Sequence, residues 1–166
     1  MTTVLEHIRA KASAWEQILS PSALSSAVGS LANCIAARLI NDIFDMSSMS
    51  VTEAETAAII ISQVEKLDDL FLPVTKNGQS NGHTALEEQV PMTAQFADQW
   101  MKMKYLSQTL QSNLSDIHFL WFESELSLYF TVDEVVDLIE LSFENNTSVR
   151  SEIRKIRENP HPMPSG

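Results

Sequence analysis

Residues 130–156 read FTVDEVVDLIELSFENNTSVRSEIRKI. Thr131 with Glu134 three residues later is a capping box, in which hydroxyl and carboxylate each take up a backbone N–H that the first helical turn leaves unpaired. Behind it Val132, Val136, Ile139 and Phe143 recur at helical spacing and predict one buried face. Phe143 is then expected inside the core at the helix end, where loss of its ring costs about 3–5 kcal/mol. Asn145 and Asn146 are weak helix formers and Thr147 is a competent N-cap, so a break is expected there, followed by a short helix carrying Val149, Ile153 and Ile156.

The same period runs upstream. Val4, Ile8, Ala12, Trp15 and Leu19 predict a first helix over about 3–19. Ser20 before Pro21 starts a second, whose stripe of Leu24, Val28, Leu31, Ile35, Leu39 and Ile43 runs to about Met46. Ser50 and Glu53 form another capping box, and Ala57, Ile60, Val64, Leu67 and Phe71 make the face of a third helix. The segment PVTKNGQSNGHTALEEQVP, Pro73–Pro91, has no sustained period and reads as a mobile surface loop of about 73–91. After it Phe96, Trp100, Met103, Leu110, Leu114, Ile117 and Trp121 predict one long helix over 93–122. FESELSLYF, residues 122–130, fits either a fraying helix end or an extended connection. NPHPMPSG cannot continue a helix, so 159–166 are expected to be a disordered tail. The expectation is an all-α bundle of about six helices in one domain, 1–158, because neither flank of the loop is large enough to be stable alone.

Composition narrows the function. The chain has 166 residues and a net charge of −11. That balance repels phosphate backbones and anionic lipid, so nucleic acid is excluded as a partner. No stretch approaches 18 consecutive apolar residues and MTTVLEHIRAK lacks a secretory h-region, which predicts a cytoplasmic chain without direct membrane insertion. Cys34 is the single cysteine, which rules out an internal disulfide; its apolar neighbours predict a buried, inert thiol. His7, His83, His118 and His161 are scattered without ligand spacing. NGQSNG lacks the Lys and Ser/Thr of a phosphate loop. Asp68–Asp69 and Glu87–Glu88 read as solvated acids, and Trp15, Trp100 and Trp121 as core. No catalytic, cofactor-binding or metal-binding residue is expected, and the chain is expected not to be an enzyme; a hydrolase would have to gather His118 or His7 with a carboxylate and a nucleophile.

One charge feature departs from the acidic background: Arg150, Arg154, Lys155 and Arg157 fall within eight positions, whereas acids concentrate at Asp42, Asp45, Glu53, Glu55, Glu65, Asp68 and Asp69. Either the last helix lies against that acidic surface, or the cluster is a docking patch for an acidic partner.

The ordered series LINDIFDMSSMSVTEAE (39–55), QVPMTAQFADQW (89–100), LSQTLQSNLSDIHFLW (106–121) and the terminal segment quoted above resembles the C-terminal region of the zeste-white ten family, over about residues 22–158. FESELSLYF departs from the glycine-containing turn that often follows the tryptophan there. The resemblance implies the C-terminal portion of a helical-rod vesicle tether, cut from a chain several times longer, with Met1 an added or chance start. It implies a non-catalytic scaffold of a Dsl-type complex for Golgi-to-endoplasmic-reticulum retrograde transport, peripheral at that membrane. The implied partner is a helical-solenoid subunit of the Sec-thirty-nine, neuroblastoma-amplified or rough-deal type, with endoplasmic-reticulum SNAREs and the vesicle coat contacted indirectly. In animals the family also serves a kinetochore complex. The remaining alternative is a stand-alone helical signalling or adaptor module.

Overall fold

The computed structural model describes residues 2–71 and 91–160; all but Pro91 of the loop expected over about 73–91, and residues 161–166 of the tail expected over 159–166, lie outside them. The described residues hold eight α-helices and no strand: α1 (Thr2–Glu16), α2 (Pro21–Phe44), α3 (Val51–Glu65), α4 (Trp100–Leu110), α5 (Leu114–Phe122), α6 (Leu126–Tyr129), α7 (Val132–Ser142) and α8 (Thr147–Glu158). Two 3-10 segments, Lys66–Phe71 and Met92–Gln95, precede α4. The fold is all-α, with eight helices where about six were expected.

The difference arises after residue 91. The single helix expected over 93–122 is a 3-10 turn and two helices, broken at Gln111–Asn113. Asn113 leaves the helical conformation and its side chain accepts from the N–H groups of Ser115 and Asp116, while Asp116 accepts from the Asn113 N–H. This capping box starts α5 inside what reads as a continuous apolar stripe. FESELSLYF resolves into the end of α5 and the single turn of α6. The caps at Ser20, Ser50–Glu53 and Thr131–Glu134 form as their spacing predicts. The last helix is capped one residue earlier than expected, by Asn146, which accepts from the Val149 N–H.

α4 is central: it packs on α2, α3, α6 and α7, and α8 closes the far side against α5 and α7. Trp100, Met103 and Leu106 on α4 are fully buried, with Ile61 and Val64 of α3 and Ile139 of α7. The buried lines are shifted from the expected stripes. Leu5 rather than Val4 faces inward on α1, and Ala58 and Ile61 rather than Ala57 and Ile60 on α3. On α2 the innermost line is Gly29, Ala32, Ala36, Ile40 and Ile43, with Leu31, Ile35 and Leu39 only half-buried on its flank. Small side chains there let the α2 backbone come close to the segment before α4. Cys34 points away from that line and is exposed, not buried.

α2 is long and apolar enough to cross a bilayer by length and composition. Its inner line packs between α1 and α4, and its Asn33 side chain accepts from the Gln99 N–H at 2.8 Å, supplying the cap that α4 lacks locally. Asp68 is likewise no solvated acid. It accepts from the Trp100 indole N–H at 2.8 Å and from the Thr93 hydroxyl, and lies 3.6 Å from the Lys104 ammonium. Arg9 ties α1 to the same region by donating to the Lys66 carbonyl at 2.6 Å. Between α4 and α7, Lys102 bridges to Glu134. Burial pulls the Glu134 carboxyl up, but hydrogen bonds from Lys102 and Thr131 outweigh it and hold the group below the ordinary carboxylate range.

Gly29 shows what the close approach demands. A Cβ there would lie 2.6 Å from the Phe96 carbonyl oxygen and closer still to the Phe96 Cβ. Alanine normally stabilises a helix interior by about 1 kcal/mol over glycine; here Gly29→Ala is expected to destabilise by about 1–3 kcal/mol through overpacking against backbone. Urea denaturation measures it, and a gain in stability refutes the close contact.

Glu65 gives a pH prediction. Burial raises its carboxyl above the ordinary range, Lys104 opposes this and Asp68 adds to it. The folded state therefore binds this proton more tightly than the unfolded chain. The charge costs stability in full at neutral pH; the cost fades as pH falls through the raised value and is gone below the ordinary one, near 4.5. Glu65→Gln is expected to stabilise at pH 7, by less than about 1 kcal/mol because the group is half-exposed. That gain should vanish on acidification, as denaturation midpoints at pH 7 and pH 4 will show.

Candidate functional site

Helix α7 ends at Ser142, and Phe143 leaves the helical conformation, extended at φ −125°, ψ 141°. The four residues to Asn146 turn the chain back so that α8 lies beside α7. Val149 and Ile156 of α8 face the core with Ile153 half-buried beside them. At about 100° per residue, Arg150, Arg154 and Arg157 then share one flank of α8 and Lys155 falls on the other. The structure thus splits the four basic residues that are adjacent in sequence.

The three arginines, all exposed, edge a groove of about 650 Å³ between α7 and α8. Its apolar lining is Phe143, Val149 and Ile153, and Glu140 and Glu158 also stand along it. Arg150 donates from Nε to the Asn145 side-chain oxygen at 2.7 Å. Among the described residues none of these three arginines pairs with a carboxylate, whereas Arg9 pairs with Asp69 and Arg38 with Asp42. The acidic surface of α2, α3 and the 3-10 segment is engaged elsewhere: Asp42 with Arg38, Glu53 with Ser50, Asp68 with Thr93, Trp100 and Lys104.

Lys155 belongs to a different arrangement. Its ammonium lies 3.1 Å from Glu152, whose other carboxylate oxygen meets His118 Nδ1 on α5. Glu152 is 6% exposed, and its carboxyl group is held by two partners, Lys155 from its own helix and His118, which joins α5 to α8. Glu152 was missed from sequence. Its signal was a lone acid on the apolar face of α8 with a lysine three residues on.

Phe143 is half-buried rather than part of the sealed core. It lines both the α7–α8 groove and a second cavity, of about 440 Å³, shared with Met49, Val51 and Leu110. Trp121 is fully buried, and its indole N–H donates to the Asn159 carbonyl at 3.1 Å. Asn159 is therefore bound to the bundle, although sequence places it at the start of a tail. Trp15 is half-buried. His7 is exposed, and no group of acidic, histidine or cysteine side chains among the described residues could hold a metal ion. His83, His161, Glu87 and Glu88 lie outside those residues. His118 and the Glu152 carboxylate it meets share a cavity of about 520 Å³ with Ser115, Ser148 and Ser151, the one place among the described residues where the structure brings an expected histidine together with a carboxylate and hydroxyls; among those residues no serine hydroxyl hydrogen-bonds to His118.

A family model described as the ZW10 C-terminal helical domain matches residues 1–156. The rat centromere/kinetochore protein zw10 homolog is 24% identical over 157 residues, which is 93% of this chain and 19% of the rat protein. The chain thus spans about a fifth of the length of that curated relative. No solved structure gives a significant match.

The half-exposure of Phe143 lowers what its removal should cost. Phe143→Ala is expected to destabilise by about 1–2 kcal/mol, against about 2–5 kcal/mol for Ile139→Ala one turn earlier, where the side chain is sealed. Chemical denaturation of the two variants checks the order; equal or inverted costs would place the Phe143 ring in the core.

Proposed function

We propose, on the premise that this chain belongs to the ZW10 C-terminal helical domain family, that it is a non-catalytic scaffold within a multisubunit tether. The observation that carries this is the match to a helical family domain along residues 1–156. In the finer reading the parent protein acts in Golgi-to-endoplasmic-reticulum retrograde transport, peripheral at the receiving membrane. There the C-terminal helices bind a helical-solenoid subunit of the Sec-thirty-nine, neuroblastoma-amplified or rough-deal type. SNAREs of the endoplasmic reticulum and the vesicle coat are reached through the assembled complex. The name of the rat relative favours a second reading, a scaffold of a kinetochore complex.

The mechanism needs no chemistry. A rigid bundle holds one subunit against another, a few buried anchors supply most of the affinity, and surrounding charges govern encounter. Holding a rod at both ends raises the effective concentration of a vesicle near the fusion machinery, as a short link does for any pair of tethered sites. Three arginines that have no carboxylate partner among the described residues, on one face of a chain with net charge −11, support a steering role for the α8 flank.

Affinity purification of the full-length protein with mass spectrometry tests the reading. Trafficking subunits are expected, kinetochore subunits favour the second reading, and kinases or receptors in place of both would mean a signalling adaptor. With the solenoid subunit in hand, Arg150→Glu, Arg154→Glu and Arg157→Glu together are expected to slow association about tenfold at low salt and flatten its salt dependence. Helicity by circular dichroism should not change. An unchanged rate and salt slope would move the docking surface elsewhere on the bundle.

A further inference from the structure

We infer that the α7–α8 groove is a receptor for an acidic amphipathic helix of a partner protein, with carboxylates on Arg150, Arg154 and Arg157 and apolar side chains against Phe143 and Ile153. The inference rests on the scaffold reading and names the chemistry that its surface recognises.

Three observations converge on this occupant. The chain has five arginines, and the three without a carboxylate partner among the described residues all edge this one groove. In a chain with 22 acidic and 11 basic side chains, these three positive groups form one stripe against a negative background. Their spacing of four and three residues spans about 10 Å of helix, so a second helix laid along α8 repeats the interval with acids at i, i+4 and i+7. The groove also has an apolar lining, Phe143, Val149 and Ile153, with Phe143 and Ile153 left half-exposed. Carboxylates alone would not use it, whereas one face of an amphipathic helix does.

The same geometry disfavours an anionic membrane or a phosphate cluster. Glu140 and Glu158 stand beside the arginines and repel dense negative charge, and the chain as a whole opposes an anionic surface. A helix can set neutral residues opposite those two acids. Lys155 takes no part, because it is committed to Glu152 on the other flank of α8.

The test uses the whole chain and fluorescein-labelled peptides about five helical turns long, read by anisotropy. One peptide carries Glu at i, i+4 and i+7 beside a leucine stripe, a second has Ser for Leu, and a third has Lys for Glu; phosphatidylserine vesicles form a fourth arm. Saturable binding of the first peptide alone is expected. Arg154→Glu with Arg157→Glu, both exposed and checked by circular dichroism, should weaken it about tenfold, and this variant should now accept the third peptide. The inference is overturned by no saturable binding of the acidic leucine peptide, by equal affinity for the double variant, by equal binding of the serine peptide, or by binding to vesicles alone. If no peptide binds while the full-length protein still recovers trafficking subunits, the groove assignment fails and the scaffold reading stands. Peptide binding without those subunits gives the reverse.

Discussion

A buried indole must give its N–H an acceptor or forfeit a hydrogen bond inside the core, and this chain buries two. Trp100 finds Asp68, 32 residues back, and Trp121 finds the Asn159 carbonyl, 38 residues ahead. These two bonds fix the bundle at both ends. The first joins the 3-10 segment after α3 to α4, with Thr93 and Lys104 on the same carboxylate. The second fastens the exit of α8 to α5, and with the His118–Glu152–Lys155 bridge it holds α8 in place. The large rings supply the apolar burial; their single polar atoms dictate where the neighbouring segments can go.

Close packing sets the remaining distances. α2 presents glycine and alanine on its inner line, so Phe96 and the start of α4 come within van der Waals range of its backbone. The Met49 N–H donates to the Leu141 carbonyl at 3.0 Å, which ties the connection between α2 and α3 to the end of α7. The groove beside α8 follows from this: α7 stops where Phe143 becomes extended, and the returning helix cannot close over the gap its own turn leaves.

That gap is where fold and function meet. Asp42, Asp68 and Asp69 are paired within the bundle, and the α8 arginines remain exposed on a stripe beside half-exposed apolar groups.

Local features were legible because their causes lie three or four residues apart. The caps at Ser20, Ser50–Glu53 and Thr131–Glu134, the all-α class and the break before α8 need only short-range hydrogen bonds and a period of 3.6. The break at Asn113 was equally local, an Asn–Asp capping box, but the unbroken apolar stripe from Trp100 to Trp121 concealed it. Other features depended on neighbours distant in sequence. Which side of α2 is innermost, and hence that Cys34 is exposed, was settled by the approach of Phe96. That Asp68 is a hub follows from Trp100, and the half-burial of Phe143 from where α8 returns. The i, i+4, i+7 spacing of the arginines was written in the sequence; that these three share a groove while Lys155 turns to a buried glutamate was decided by the placement of α5 and α7, because a helix knows its own period but not what stands on either side.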